Sequence, residues 1–370
     1  MKILIVSDFW QPLNMNIYRG GAESYTMSTW KALLNQGYNA WLLTTKDVEF
    51  THPKLMTWQD LSKETFTKQN PGKRYTPGAE FDSVIPEIIG HKFDVILTSC
   101  ASVRLVRKIV QCKVPVLHVT HTIIVYRNDP ERFKSFNEIK QSHPLRAITV
   151  SNYTKNNINT VVPGYIDDVV CPTYSESRWD PPVTYDSKRL IYTGRVTKTK
   201  HVDVLLDNFK GSDYKVLVVG DPQYHSGSEY EWFQTVFKPT TEQFPNIVHI
   251  NNIPHDKLFP LISESAGLIV PCHDESFSLS AFEAQKLGVP VMHIKSKVGS
   301  LEEYVIDGKT GILIDSYRKR KPALRVEILS KVNDITSLDR DFIYNHFKSN
   351  YSEKKFIDNL LVQLREAMCL

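Results

Sequence analysis

The sequence predicts an α/β protein made of two doubly wound parallel-sheet domains, and three observations carry that reading. Short β-branched runs alternate with longer polar or amphipathic stretches along the chain. Such near-continuous apolar runs mark strands covered by helices on both faces. Six runs fall on each side of one polar, proline-rich break, and a chain of 370 residues exceeds what a single core organises.

In the first half the predicted strands are Ile3–Ser7, Ala40–Thr45, Asp94–Ser99, Val114–His118, Ala147–Ser151 and Asp168–Cys171. In the second half they are Leu190–Thr193, Lys215–Gly220, Ile247–Asn251, Ala266–Pro271, Val289–Ile294 and Gly311–Asp315. The break runs from Cys171 to Pro182, where Pro172, Pro181 and Pro182 prevent a strand or helix from continuing. The expected domains are therefore 1–172 and 173–345, followed by a terminal segment, 346–370. Within that segment Phe356, Leu360, Leu361 and Leu364 fall at helical spacing, predicting one amphipathic helix over Ser352–Leu370. Residues 51–80 show no clear period and read as a loop with one short helix.

Composition narrows the class. Hydrophobic content of 41% and charged content of 23% are those of an ordinary globular protein. No apolar run reaches the ~18 residues of a membrane span. Met1–Asp8 turns polar too soon for a signal peptide and reads as a first strand. Five scattered cysteines without Cys-x-x-Cys spacing argue against a zinc site or a disulfide framework, and a reducing cytoplasm is the default. Residues 1–175 hold 20 Lys and Arg against 15 Asp and Glu. The excess sits between Arg104 and Arg146. Solvated helix faces account for it, with an acidic acceptor or an anionic membrane as the other reading.

In open parallel sheets ligands sit beyond the carboxyl ends of strands, and several motifs occupy that edge. The first strand leads to Arg19-Gly20-Gly21-Ala22-Glu23, where two glycines allow close backbone approach. No Gly-x-Gly-x-x-Gly occurs, so a nicotinamide reading loses its main support. Of the two histidines in Leu117-His118-Val119-Thr120-His121, alternation sets them on opposite faces, and His121 is nearer the strand end. The run Thr193-Gly194-Arg195, with Lys200 five residues on, could bring two cations to one diphosphate. Residues 275–283, Glu-Ser-Phe-Ser-Leu-Ser-Ala-Phe-Glu, follow an apolar strand and open a helix. A helix N-terminus suits phosphate, and flanking carboxylates suit sugar hydroxyls. Together they describe a nucleotide-sugar site.

The order of strand, Gly194-Arg195, Lys200, Glu275 and Glu283, then residues 298–311, resembles glycosyltransferase family 4. The resemblance is specific over 190–315 and looser over 1–175, where Gly20–Glu23, His121 and Val150-Ser151 match in kind and order. It implies a GT-B fold, with two Rossmann-like domains facing across a cleft and a terminal helix crossing back to the first. It implies a retaining enzyme that uses a UDP- or GDP-linked sugar as donor, with no separate cofactor and no metal. Arg195 and Lys200 would hold the donor diphosphate, Glu283 the ribose and Glu275 the transferred sugar. Backbone N–H groups around Phe277, Ser278, Leu279 and Ser280 would face the phosphates and sugar. His121 would serve the sugar, and Gly20 and Gly21 the acceptor or a phosphate.

The expected mechanism is front-face attack by the acceptor hydroxyl, with Glu275 as the alternative nucleophile. Asp339-Arg340-Asp341 reads as a helix start rather than a metal site. The expected acceptor is a glycan or lipid-linked glycan, at the inner membrane surface in the lipid-linked case, with no obligate protein partner. DNA bearing hydroxylated bases, nucleotide-sugar epimerisation and non-catalytic sensing are the other readings. The chain departs from the family where His201, Ser278 and Ser300 stand at positions commonly Gly. It departs again at Val169–Ser175, where an Asn-Gly-Val-Asp-like run is common.

Overall fold

The computed structural model describes residues 1–7, 21–45, 48, 50–58, 81–99, 101–121, 130–172, 184–222, 227–272, 275–295, 299–316 and 321–370. Gly20, most of the 51–80 stretch and most of the proline-rich break lie outside the described residues. The chain divides into two compact units, Met1–Glu176 with Tyr351–Leu370, and Ser177–Asn350.

The first unit contains β1 (Lys2–Val6), α1 (Gly21–Asn35), β2 (Asn39–Thr45), β3 (Leu55–Trp58), α2 (Ile85–His91), β4 (Val95–Ser99), α3 (Val103–Ile109), β5 (Val116–Thr120), α4 (Pro130–Ser142), β6 (Leu145–Thr149), α5 (Asn152–Val161) and β7 (Asp168–Val169). Its strands run parallel in the order β3-β2-β1-β4-β5-β6-β7. Each run predicted in this half overlaps a strand. β3 is an addition, lying inside the stretch read as loop. Its four residues alternate in burial, with Met56 and Trp58 inward, and Trp58 packs edge-on against Phe81 at 5.3 Å. Four residues behind a proline give too short a period to stand out.

One further helix belongs to this unit, here α13 (Glu353–Met368), started by Ser352, whose hydroxyl accepts the Lys355 N–H. Phe356, Ile357, Leu360, Leu361 and Leu364 are buried on it. Arg146 donates to Gln363, and Gln363 donates in turn to Asp168, tying the helix to β6 and β7.

The second unit contains β8 (Asp186–Thr193), α6 (Val202–Phe209), β9 (Lys215–Val219), α7 (Gly227–Trp232), α8 (Lys238–Gln243), β10 (Ile247–Ile250), α9 (His255–Ser263), β11 (Ser265–Val270), α10 (Leu279–Lys286), β12 (Val291–Lys295), β13 (Gly311–Asp315), α11 (Lys321–Thr336) and α12 (Arg340–Asn350). Its parallel strands run β10-β9-β8-β11-β12-β13. Asp339 accepts the N–H groups of Asp341 and Phe342 at 2.9 and 3.1 Å, so the Asp-Arg-Asp run starts a helix.

Two glycines close the ends of β8 and β9. Gly194 and Gly220 hold φ of +148° and +147°. A Cβ on Gly220 would lie 1.9 Å from the Gly194 carbonyl oxygen, so only glycine fits there. Among the described residues no helix is long and apolar enough to cross a membrane.

Candidate functional site

The second sheet reverses its strand order between β8 and β11, which pair directly through Gly267↔Leu190 and Leu268↔Ile191. β8 connects onward to β9 on one side and β11 to β12 on the other, leaving a crevice beyond their carboxyl ends. The Gly194–Lys200 and Glu275–Glu283 motifs leave these two strands.

After β8 the chain makes a short 3₁₀ turn, Lys198–Lys200. Thr197 caps it by accepting the Lys200 N–H through its hydroxyl at 3.3 Å. From α7, the Glu229 carboxylate accepts the Thr199 N–H at 3.4 Å. His201 ends the turn at φ +54°, its N–H donating to the Lys198 carbonyl. This left-handed position explains why glycine is common there, since a side chain in that region costs roughly 1–2 kcal/mol. His201→Gly is expected to raise stability by about 1 kcal/mol, seen as a higher denaturation midpoint at unchanged m.

Lys200 Nζ lies 2.6 Å from Glu275 Oε1. The side chains are 25% and 14% exposed, so the pair is partly desolvated and stronger than a surface bridge. Burial on its own would lower the Lys200 pKa; the Glu275 carboxylate, with Cys272 beside it, outweighs that and raises it. Lys200 is therefore a fixed cation. Arg195 belongs to the same cluster, its positive charge acting against that of Lys200. Tyr192 braces the turn, donating from its hydroxyl to the Arg195 carbonyl at 2.8 Å. Burial foremost, then Cys272 and Glu275, push the Tyr192 phenol up, and Arg195 opposes them.

After β11 the chain passes through Glu275 into α10. Ser278 is its N-cap, the hydroxyl accepting the Ala281 N–H. The Ser278 N–H donates to the Tyr304 hydroxyl at 3.2 Å, and that hydroxyl donates back to the Ser278 carbonyl at 3.1 Å. The Ser278 N–H and carbonyl are thus hydrogen-bonded to Tyr304 within the protein. Phe277 stacks on Tyr304 at 4.9 Å. The N–H groups of Leu279 and Ser280 form no hydrogen bond among the described residues and remain at the positive end of the helix. Ser300 donates to the Glu275 carbonyl at 2.7 Å, so the hydroxyl present where glycine is common latches this loop.

Glu283 lies one turn further along α10, 5% exposed. It faces His255 Nε2, the first residue of α9, at 3.2 Å. The structure therefore gathers Arg195, Lys200 and Glu275 into one cluster. It seats Glu283 on the helix that leaves the same loop, paired with His255. Gly21 and His121 belong to the first unit, where Gly21 opens α1 and His121 follows β5. His118 is a core residue, 2% exposed, bonded to Thr98 at 2.7 Å and stacked on Phe136. Sequence reading missed Tyr304, Glu229 and His255. Tyr304 stood inside a quoted motif, whereas His255 is a single histidine with no local signal. Among the described residues, no group of three His, Cys, Asp or Glu side chains could hold a metal ion.

Residues 174–349 match the family model described as glycosyl transferases group 1. A lipopolysaccharide 1,2-N-acetylglucosaminetransferase of Salmonella typhimurium is 27% identical over 194 residues, 50% of this chain and 49% of that enzyme. The chain spans about half, or less, of the length of the curated relatives it matches. Sucrose-phosphate synthase from Thermosynechococcus elongatus superposes with a TM-score of 0.72 at 18% identity, covering 99% of this chain and 100% of that one. HepE from Anabaena, solved with UDP-glucose, superposes at 0.70 and 12% identity, over 99% of each chain. The fold is that of the GT-B glycosyltransferases, and over residues 174–349 the chain carries the glycosyl transferases group 1 pattern.

Proposed function

We propose that this protein is a retaining glycosyltransferase that moves a sugar from a nucleoside-diphosphate sugar to an acceptor hydroxyl. The observation that carries the reading is the Lys200–Glu275 pair beside Arg195, at the crevice into which α10 points its N-terminus. Cations and open N–H groups suit a diphosphate; a carboxylate among them suits the hydroxyls joined to it.

In the proposed reaction the bond between the anomeric carbon and the β-phosphate oxygen breaks. The acceptor oxygen bonds to that carbon on the same face, and its proton passes to a phosphate oxygen of the leaving diphosphate. Arg195, Lys200 and the N–H groups of Leu279 and Ser280 stabilise the departing charge. Glu275 orients the sugar, and Glu283 holds the ribose. A uridine diphosphate donor agrees with HepE, which was solved with UDP-glucose. A saccharide acceptor agrees with the name of the Salmonella relative.

Uridine, guanosine and adenosine diphosphates and their sugars, tested by thermal shift, check the donor. One base series is expected to raise Tm with concentration, as mass action requires. No shift from any of them overturns the reading. Conversion of free donor to its epimer without acceptor would favour an isomerase instead.

A further inference from the structure

The first sheet also reverses its order, between β1 and β4, and polar side chains gather at the carboxyl ends of its central strands. Ser7 follows β1 and donates from its hydroxyl to the Ser99 carbonyl at 3.1 Å. Ser99 ends β4. Its hydroxyl receives the Thr26 hydroxyl proton at 2.8 Å and lies 3.0 Å from His121 Nε2. Tyr25 meets the imidazole edge-on, with centroids 4.5 Å apart. Thr26 and Ser99 are both 0% exposed, so water does not reach their hydroxyls.

Burial decides where the protons go. A buried hydroxyl proton needs an acceptor. Thr26 donates to Ser99, and among the described residues the Ser99 proton has one acceptor, His121 Nε2. The opposite arrangement would make Ser99 accept twice and leave its own proton unpaired, at a cost that disfavours it. Burial also pushes the imidazole pKa down to about 3, so the ring is neutral and one nitrogen must accept.

We propose that Ser99, backed by Thr26, is a positioning residue that fixes His121 with Nε2 bare and Nδ1 protonated, presenting Nδ1–H as a donor to a ligand oxygen. That the ligand oxygen belongs to a sugar rests on the function proposed above; the tautomer does not.

The test is nitrogen-15 NMR of histidine-labelled, ligand-free full chain at neutral pH, with the His121 resonances assigned by loss in His121→Gln. The expected spectrum has a proton-bearing Nδ1 and a bare Nε2. In Ser99→Ala the ring is expected to move toward the other tautomer. Turnover should fall about tenfold, the worth of one hydrogen bond, with donor KM little changed, and Ser99→Thr should restore both. A proton on Nε2 in the wild type overturns the proposal, as does an unchanged ring in Ser99→Ala, and so does a changed ring with undiminished turnover. If no nucleotide sugar supports transfer, the functional reading falls while the wild-type spectrum still decides the tautomer.

Discussion

Lys200→Ala is expected to lower turnover roughly 10²- to 10³-fold, the usual effect of removing one preorganised partner of a developing charge. Its ammonium is fixed by Glu275 at 2.6 Å and by a turn capped at Thr197, so on the proposed function it would need little reordering for a diphosphate. The same substitution strands the Glu275 carboxylate, 14% exposed, beside the buried Tyr192. Loss of about 1–3 kcal/mol in unfolding free energy should accompany the kinetic defect. Lys200→Arg keeps the charge and should recover most of the stability. Single-turnover kinetics and denaturant midpoints separate the two effects. Wild-type turnover in Lys200→Ala would detach this cluster from the chemistry.

Glu283→Ala should act on binding rather than on the transfer step. A buried carboxylate accepting ribose hydroxyls forms charge-assisted hydrogen bonds, so nucleotide affinity should fall by roughly tenfold to a hundredfold. The selective readout is the sugar edge. The wild type should bind UDP more tightly than its 2′,3′-dideoxy analogue, and Glu283→Ala should bind the two alike. His255 sits 3.2 Å from this carboxylate and partners it in the ligand-free protein. Calorimetry with both nucleotides checks the result, and preserved discrimination in Glu283→Ala would end the assignment.

Much of this arrangement was legible in the sequence because strand and loop chemistry are local. Apolar runs disclosed the sheet strands, and Lys200, Glu275 and Arg195 lay beside strand ends where their residue types already suggested a diphosphate and a sugar. What stayed hidden was pairing at a distance. Tyr304 reaches Ser278 across 26 positions, and no periodicity announces a hydroxyl that will occupy a loop N–H. His255 meets Glu283 only after β11 has passed between them in the chain. Ser99 read as the end of a strand, and its burial against His121 emerges only when β4 and β5 lie side by side. β3 escaped because two inward residues in four cannot set a period.

The helix Glu353–Met368 completes the first unit from the far side of the second in the chain. During synthesis the opening sheet must therefore wait, with the surface meant for Phe356, Leu360 and Leu364 uncovered, until residues 177–350 have left the ribosome. The nascent amino-terminal half is therefore expected to expose apolar surface until Glu353–Met368 is made.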